Sequence, residues 1–334
     1  MKSAIFLYQY LLTLKKHSQK GFTLIELLVS LIISGLIIST LLYVVVDLVS
    51  LDNREARLNQ VQLDTKRALD YITNDLQEAV YIYQDPAAIS AQLTGDSRFP
   101  TPDANTFPVL AFWRIDPVDN LPDCTTGSLA FQSTCQVLSI RRATYTLVVY
   151  IQRNNDGNRN WPGQSRLIRY ELTKYSDINT LAIRPGYKDP TDSTVANSSF
   201  ETWTSDGVPS GNAAVLVDYI ASPDLELNRA PLADAGAPCS SYGNDGATTP
   251  VNLYSITPTT ASSTANTSFF ACIRNPDPDN DPTTTNRANQ DVYVFLRGAA
   301  QGEGDSRQYG YSESTSLPLL ETQVLVRGII DKNL

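Results

Sequence analysis

The residues of this chain that could do chemistry are few, and their positions exclude the commonest reactions. The only histidine is His17, which lies ahead of a Gly21-Phe22 step that opens a long apolar run. A chain cut at that step would keep no histidine. Ser-His-Asp and Cys-His catalysis and histidine-based zinc sites would then be ruled out for the remainder. No G-x-x-x-x-G-K-[ST] loop is present, so the chain is not a nucleotide-driven motor. Paired carboxylates could cleave a glycoside, which would make the chain a membrane-anchored hydrolase. Abundant acids in an acidic chain do not by themselves converge, however, and most surface acids are simply solvated. The expectation is a protein that is not an enzyme.

A second candidate is Asn275-Pro-Asp-Pro-Asp-Asn-Asp281, where Asp277, Asp279 and Asp281 repeat the one-three-five oxygen spacing of calcium loops. Pro282 stands where an EF-hand needs glycine, and Ala288 where it needs a bidentate glutamate. An EF-hand is therefore excluded. The readings left are a solvated Asp/Pro loop with no cofactor, or an irregular calcium site. Four cysteines, Cys124, Cys135, Cys239 and Cys272, allow three pairings. Pairing Cys124 with Cys135 and Cys239 with Cys272 closes two local loops, and an exported chain rarely keeps exposed thiols. Free thiols are the alternative.

The third candidate is Glu26, the one charged side chain between Phe22 and Val46. This run of 25 residues exceeds the roughly 20 needed to cross a bilayer as a helix. Its basic flank (Lys2, Lys15, Lys16, Lys20) carries no acid, which marks the cytoplasmic side and puts everything after about residue 50 outside. A secretory signal has its cleavage site after the apolar stretch. Here the order is inverted, so a cut after Gly21 would leave the apolar helix on the mature chain. Glu26 would then be its fifth residue, at a depth where a lone carboxylate costs several kcal/mol. The new α-amino group of Phe22 is a suitable partner, and in a helical assembly the amine of one subunit can meet Glu26 of the next. The plainer alternative is a single-pass anchor with Glu26 at the headgroups.

The segment Gly21-Phe22-Thr23-Leu24-Ile25-Glu26 resembles the prepilin motif of type IV pilins and type II secretion pseudopilins at every defining position. The resemblance implies cleavage at Gly21 by a prepilin peptidase, N-methylation of Phe22 and assembly through Glu26 with other pilins or pseudopilins on an inner-membrane platform. The leader is longer than many, and no proline interrupts the span near Tyr43, both of which favour a minor pilin or pseudopilin. More narrowly, Leu69-Asp-Tyr-Ile, Glu78-Ala-Val-Tyr-Ile-Tyr83, Pro108-Val-Leu-Ala-Phe-Trp-Arg114, the strand from Tyr145 to Tyr150 and Leu325-Val-Arg-Gly-Ile-Ile-Asp331 look like the cyanobacterial hormogonium polysaccharide secretion pseudopilin family. That likeness implies a part in polysaccharide export and gliding motility.

These residues need elements to hold them. After Leu51, apolar or small residues recur at Leu58, Val61, Thr65, Ala68, Ile72, Leu76 and Ala79, a three-four spacing that makes one packed stripe on a helix. Pro86 reads as its stop, so one helix is expected from Phe22 to Tyr83. Strands are expected at 109–114, taken as the first, then at 144–152, 165–172, 214–220, 268–273, 291–296 and 322–326. The second and third of these form a hairpin about Asp156-Gly157. Segments 185–212, 231–267 and 274–290 read as long surface loops.

The fold class expected is α+β and pilin-like, a long N-terminal helix packed on a mainly antiparallel sheet. Its parts are a leader (1–21), a transmembrane assembly helix (22–50), an amphipathic continuation (51–85) and a β-rich extracytoplasmic domain (86–334). With 42% apolar residues the chain can supply the core. Four lysines leave with the leader, so the formal charge falls from −9 to −13, which disfavours nucleic acid as a direct ligand. A filament-tip adhesin that stacks sugars on Trp113, Trp161 or Trp203 is the alternative function, with polysaccharide as its partner.

Overall fold

The computed structural model describes residues 21–158, 160–192, 194–195, 198–222, 239, 242, 253–258, 268–275, 290–300 and 317–326. It divides into two compact units, residues 1–56 and 57–334. Helix α1 spans Leu24–Gln77. It is followed by β1 (Ala79–Ile82), α2 (Pro86–Leu93), β2 (Thr106–Pro117), α3 (Leu129–Arg141), β3 (Ala143–Asn154), β4 (Ser165–Leu172), β5 (Tyr175–Asp177) and β6 (Ala182–Ile183). Then come β7 (Asn212–Ile220), β8 (Tyr254–Thr257), β9 (Phe269–Arg274), β10 (Asp291–Leu296) and β11 (Leu320–Leu325). A long helix followed by antiparallel sheets is the α+β, pilin-like class that the sequence implied.

In the larger unit, strands β1-β2-β3-β4-β7 form one antiparallel sheet and β11-β10-β9-β8 a second. The expected stripe is the buried face of α1 here, with Val61, Thr65, Ala68, Leu69, Ile72, Asp75 and Leu76 all buried. It shares one core with Phe112, Val148, Tyr150 and Leu167 of the first sheet and Ala271, Val292 and Val294 of the second. Because side chains alternate across a strand, Ala111, Trp113, Val149, Ile168 and Tyr170 face the other way. They build a second core with α2 and the segment around Tyr187 and Trp203.

Several expectations need correction. The helix stops at Gln77 rather than Tyr83, because Ala79-Val80-Tyr81-Ile82 is a β-branched and aromatic run that pairs with β2. The strand at 109–114 is therefore the second, not the first. Pro86 begins a helix instead of ending one: it is the first residue of α2, and the Asp85 carboxylate caps it by accepting from the amides of Ala87 and Ala88. Helix α3 was not expected at all. Ser128 caps its start, and Arg142 closes its end in the left-handed region with its amide on Leu138 O. Segment 185–212 is not simply a surface loop, since Tyr187, Phe200 and Trp203 all meet the Trp113 ring edge-on. Segment 231–267 contains β8 and the buried Cys239. The Asp156-Gly157 turn is as expected, both residues having positive φ (34° and 73°).

Buried polar side chains tie the layers together. Asp75 on α1 accepts from Arg114 Nη1 on β2 (2.5 Å), Tyr150 Oη on β3 (2.6 Å) and Arg169 Nε on β4 (2.7 Å). Asp116 and Glu171 hold the two guanidinium groups from behind, each at 2.6 Å. Gln290 accepts from Ile82 N (3.0 Å) and donates to Ile82 O (2.9 Å), so its amide continues the β1 edge towards the second sheet. Gln152 Nε2 lies within hydrogen-bond distance of Ser165 Oγ, Ala221 O and Ser268 Oγ.

Asp75→Ala strips the central anion from the buried Arg169 and the half-buried Arg114 and should cost about 3 kcal/mol or more. Urea unfolding of the full chain in detergent, followed by tryptophan fluorescence, checks this; an unchanged midpoint would show that the apolar stripe alone fixes the helix. Burial also pushes the phenols of Tyr83, Tyr150, Tyr170, Tyr187, Tyr242 and Tyr254 above their usual value. Above about pH 10 these groups ionise only when unfolded, so the stability they contribute is lost as pH rises. Melting temperatures should hold below that pH and fall above it.

Candidate functional site

Gly21 and Phe22 lie just ahead of α1 in non-helical backbone. Thr23 caps the helix: its Oγ1 accepts from Glu26 N at 3.3 Å, and its carbonyl accepts from Leu27 N at 3.1 Å. Thr23-x-x-Glu26 therefore has the spacing of a capping box. It puts the carboxylate in the first turn, where the helix dipole favours a negative charge. The same short segment sets both the start of the helix and the position of Glu26 within it.

From Leu24 to Asn53 every residue of α1 is exposed within the chain, large apolar side chains such as Leu24, Leu36 and Val46 included. Its serine and threonine hydroxyls satisfy themselves. Ser30, Ser34, Ser39 and Ser50 donate to the carbonyl three residues back, and Thr40 donates to those three and four back. A hydroxyl bonded to its own helix needs no water, the requirement an apolar medium imposes. The helix is long and apolar enough to cross a membrane. The arrangement can thus bury residues 24–46 in lipid or among other helices while offering the Glu26 carboxylate to a partner.

Residues 16–42 match the prokaryotic N-terminal methylation motif. No curated protein and no solved structure matches the chain. The motif supports a type IV pilin-like protein, processed by prepilin peptidase and assembled with other pilins in a membrane complex, and it points to a structural subunit rather than an enzyme.

The remaining sequence candidates fall in different places. Cys124 is bonded to Cys135, with Cα atoms 5.3 Å apart, and Cys239 to Cys272, at 5.4 Å. The first bridge ties the approach of α3 to its middle, and the second anchors Cys239 to β9. Asp277, Asp279 and Asp281 lie outside the described residues. Two of the three tryptophans cannot meet a sugar. Trp113 is wholly buried with Nε1 on Tyr83 Oη, and Trp203 is buried with Nε1 on Lys188 O. Trp161 is half-buried beside Arg166, whose guanidinium lies 5.6 Å from the ring centroid. Sequence reasoning missed the arginines around Trp161. The signal that could have found them was the register of the β3–β4 hairpin, which sets Arg153 opposite Arg166.

The two bridges predict that alkylation of the unfolded but unreduced chain adds no mass, whereas reduction first should give four adducts. An adduct before reduction would mark a cysteine that is not bridged.

Proposed function

We propose that this chain is a minor pilin or pseudopilin subunit of a type IV pilus-like or type II secretion-like filament. The observation that carries the reading is Gly21-Phe22-Thr23 and Glu26 at the mouth of an uncovered apolar helix. Before processing, the chain sits in the inner membrane with residues 1–21 on the cytoplasmic side and the β-rich domain beyond it. Prepilin peptidase removes the leader after Gly21, and the new amine of Phe22 is methylated. Residues 22–50 then pass from lipid into the filament core. There the carboxylate of Glu26 pairs with the amine of a neighbouring subunit, replacing two isolated charges by one ion pair.

The transported material is a polysaccharide used in gliding motility. This finer reading rests on the likeness of Leu69-Asp-Tyr-Ile, Pro108-Val-Leu-Ala-Phe-Trp-Arg114 and the other quoted segments to the hormogonium polysaccharide secretion pseudopilins.

Two variants separate processing from assembly. Gly21→Ala should retain the leader and migrate as the longer form on an immunoblot, and normal processing would refute the cleavage assignment. Glu26→Ala should be cut normally yet be depleted from sheared filaments by about tenfold or more, as expected if a buried partner is lost. Normal incorporation of that variant would sink the amine pairing. Loss of filaments without loss of exported polysaccharide would overturn the cargo.

A further inference from the structure

Far along the chain from the motif, a cleft of about 300 Å³ opens on the face of the first sheet opposite the one that carries α1. Its floor is apolar, with Ile168 of β4 paired across to Val215 of β7. Its walls hold Trp161 and three arginines, Arg98, Arg153 and Arg166, and among the described residues no carboxylate lines it. That is an unusual neighbourhood in a chain of net charge −9.

The arginines are placed at a cost. Arg153 and Arg166 are directly opposed across the β3–β4 ladder, where like charges are destabilising. Arg166 is only 8% exposed, and its partners there are neutral: Asn155 Oδ1 at 2.5 Å and the Trp161 ring. Burial and the neighbouring Arg153 both pull its proton affinity down, and Asp218 offsets this in part. Arg153 meets Asp103 at 3.2 Å, and Arg98 reaches Asn212, Ser210 and, at 3.8 Å, Asp96. Asp96 is already engaged by Tyr170 Oη and Gly211 N. An anion in the cleft would relieve the opposed pair.

The walls also choose the kind of anion. An indole beside an apolar floor suits a flat ring with polar edges, as a sugar presents. The volume is at the lower end for ligand sites and holds one or two rings. Duplex DNA carries one charge per ~1.7 Å and is read along extended basic surfaces, whereas this cleft is short and set in an acidic body. We propose that the cleft formed by Arg98, Arg153, Arg166 and Trp161 binds a carboxylated sugar unit, a uronic acid of an acidic glycan. The ring lies on Trp161 and the floor, and the carboxylate lies between Arg153 and Arg166.

None of these residues belongs to the processing motif, so the site stands or falls independently of the filament reading. The test uses the full chain in detergent with tetragalacturonate as probe, read by isothermal titration calorimetry, which does not depend on Trp161 as a reporter and so measures its variants as well. Saturable binding that weakens with salt is expected. The neutral galactose tetramer, Arg153→Gln and Trp161→Ala should each weaken binding about tenfold or more, as expected for an anchor contact. Trp161→Phe, which keeps a ring, should bind more tightly than Trp161→Ala, and near-UV circular dichroism should confirm that each variant is folded. Binding should persist in Gly21→Ala. Equal affinity for the neutral tetramer, no saturation, or stronger binding of a single-stranded oligonucleotide or inorganic phosphate would overturn the proposal.

Discussion

A carboxylate withdrawn from water must find cations, and Asp75 finds two. It sits on the buried face of α1 and gathers Arg114, Tyr150 and Arg169 from three adjacent strands of the first sheet. The apolar stripe supplies most of the driving force for packing the helix, but that force is non-directional and tolerates sliding. The Asp75 cluster has one geometry. Asp116 and Glu171 aim the arginines, and Thr146 in turn donates to Asp116 at 2.6 Å, so the placement passes from the helix into β2, β3 and β4. The helix face, the sheet register and the order of these strands are all conditions for one ion cluster to close.

The same helix handles Glu26 differently. Asp75 is satisfied within the chain, whereas Glu26, at the N-terminal end, is exposed in a segment where nearly everything else is apolar. The serine and threonine hydroxyls of that segment are turned back on their own carbonyls, leaving Glu26 as the one charged side chain between Phe22 and Val46. Such a surface is unsuited to water and suited to lipid or to like helices, where a charge has to be paired between molecules. One helix thus carries an acid satisfied within the subunit and, in the proposed assembly, an acid paired with another subunit.

What could be read from the sequence was whatever repeats locally. The stripe from Val61 to Leu76, the strands around Leu147 and Ile168 and the Asp156-Gly157 turn follow from period and turn chemistry. Short-range signals with two meanings were harder. Pro86 both forbids the helix before it and favours one after it, and the second meaning governs because Asp85 caps the new start. Helix α3 lies in a stretch whose Ser, Thr and Gly read as loop. Long-range chemistry was out of reach: Asp75 is 39 residues from Arg114 and 94 from Arg169, and the cleft depends on Arg153 facing Arg166 in one particular register. Burial of Trp113 and Trp203 was likewise invisible, because an aromatic residue serves a core or a binding face equally well.

The central claim is that the apolar helix is retained as the mature N-terminus and built into a filament through that end. Mass spectrometry of the N-terminal peptide, on chain isolated from the cell envelope, tests it most directly. The account predicts a peptide beginning at Phe22 with one added methyl group on its amine. A peptide that still contains His17, or a chain beginning on the far side of the apolar run, would contradict it.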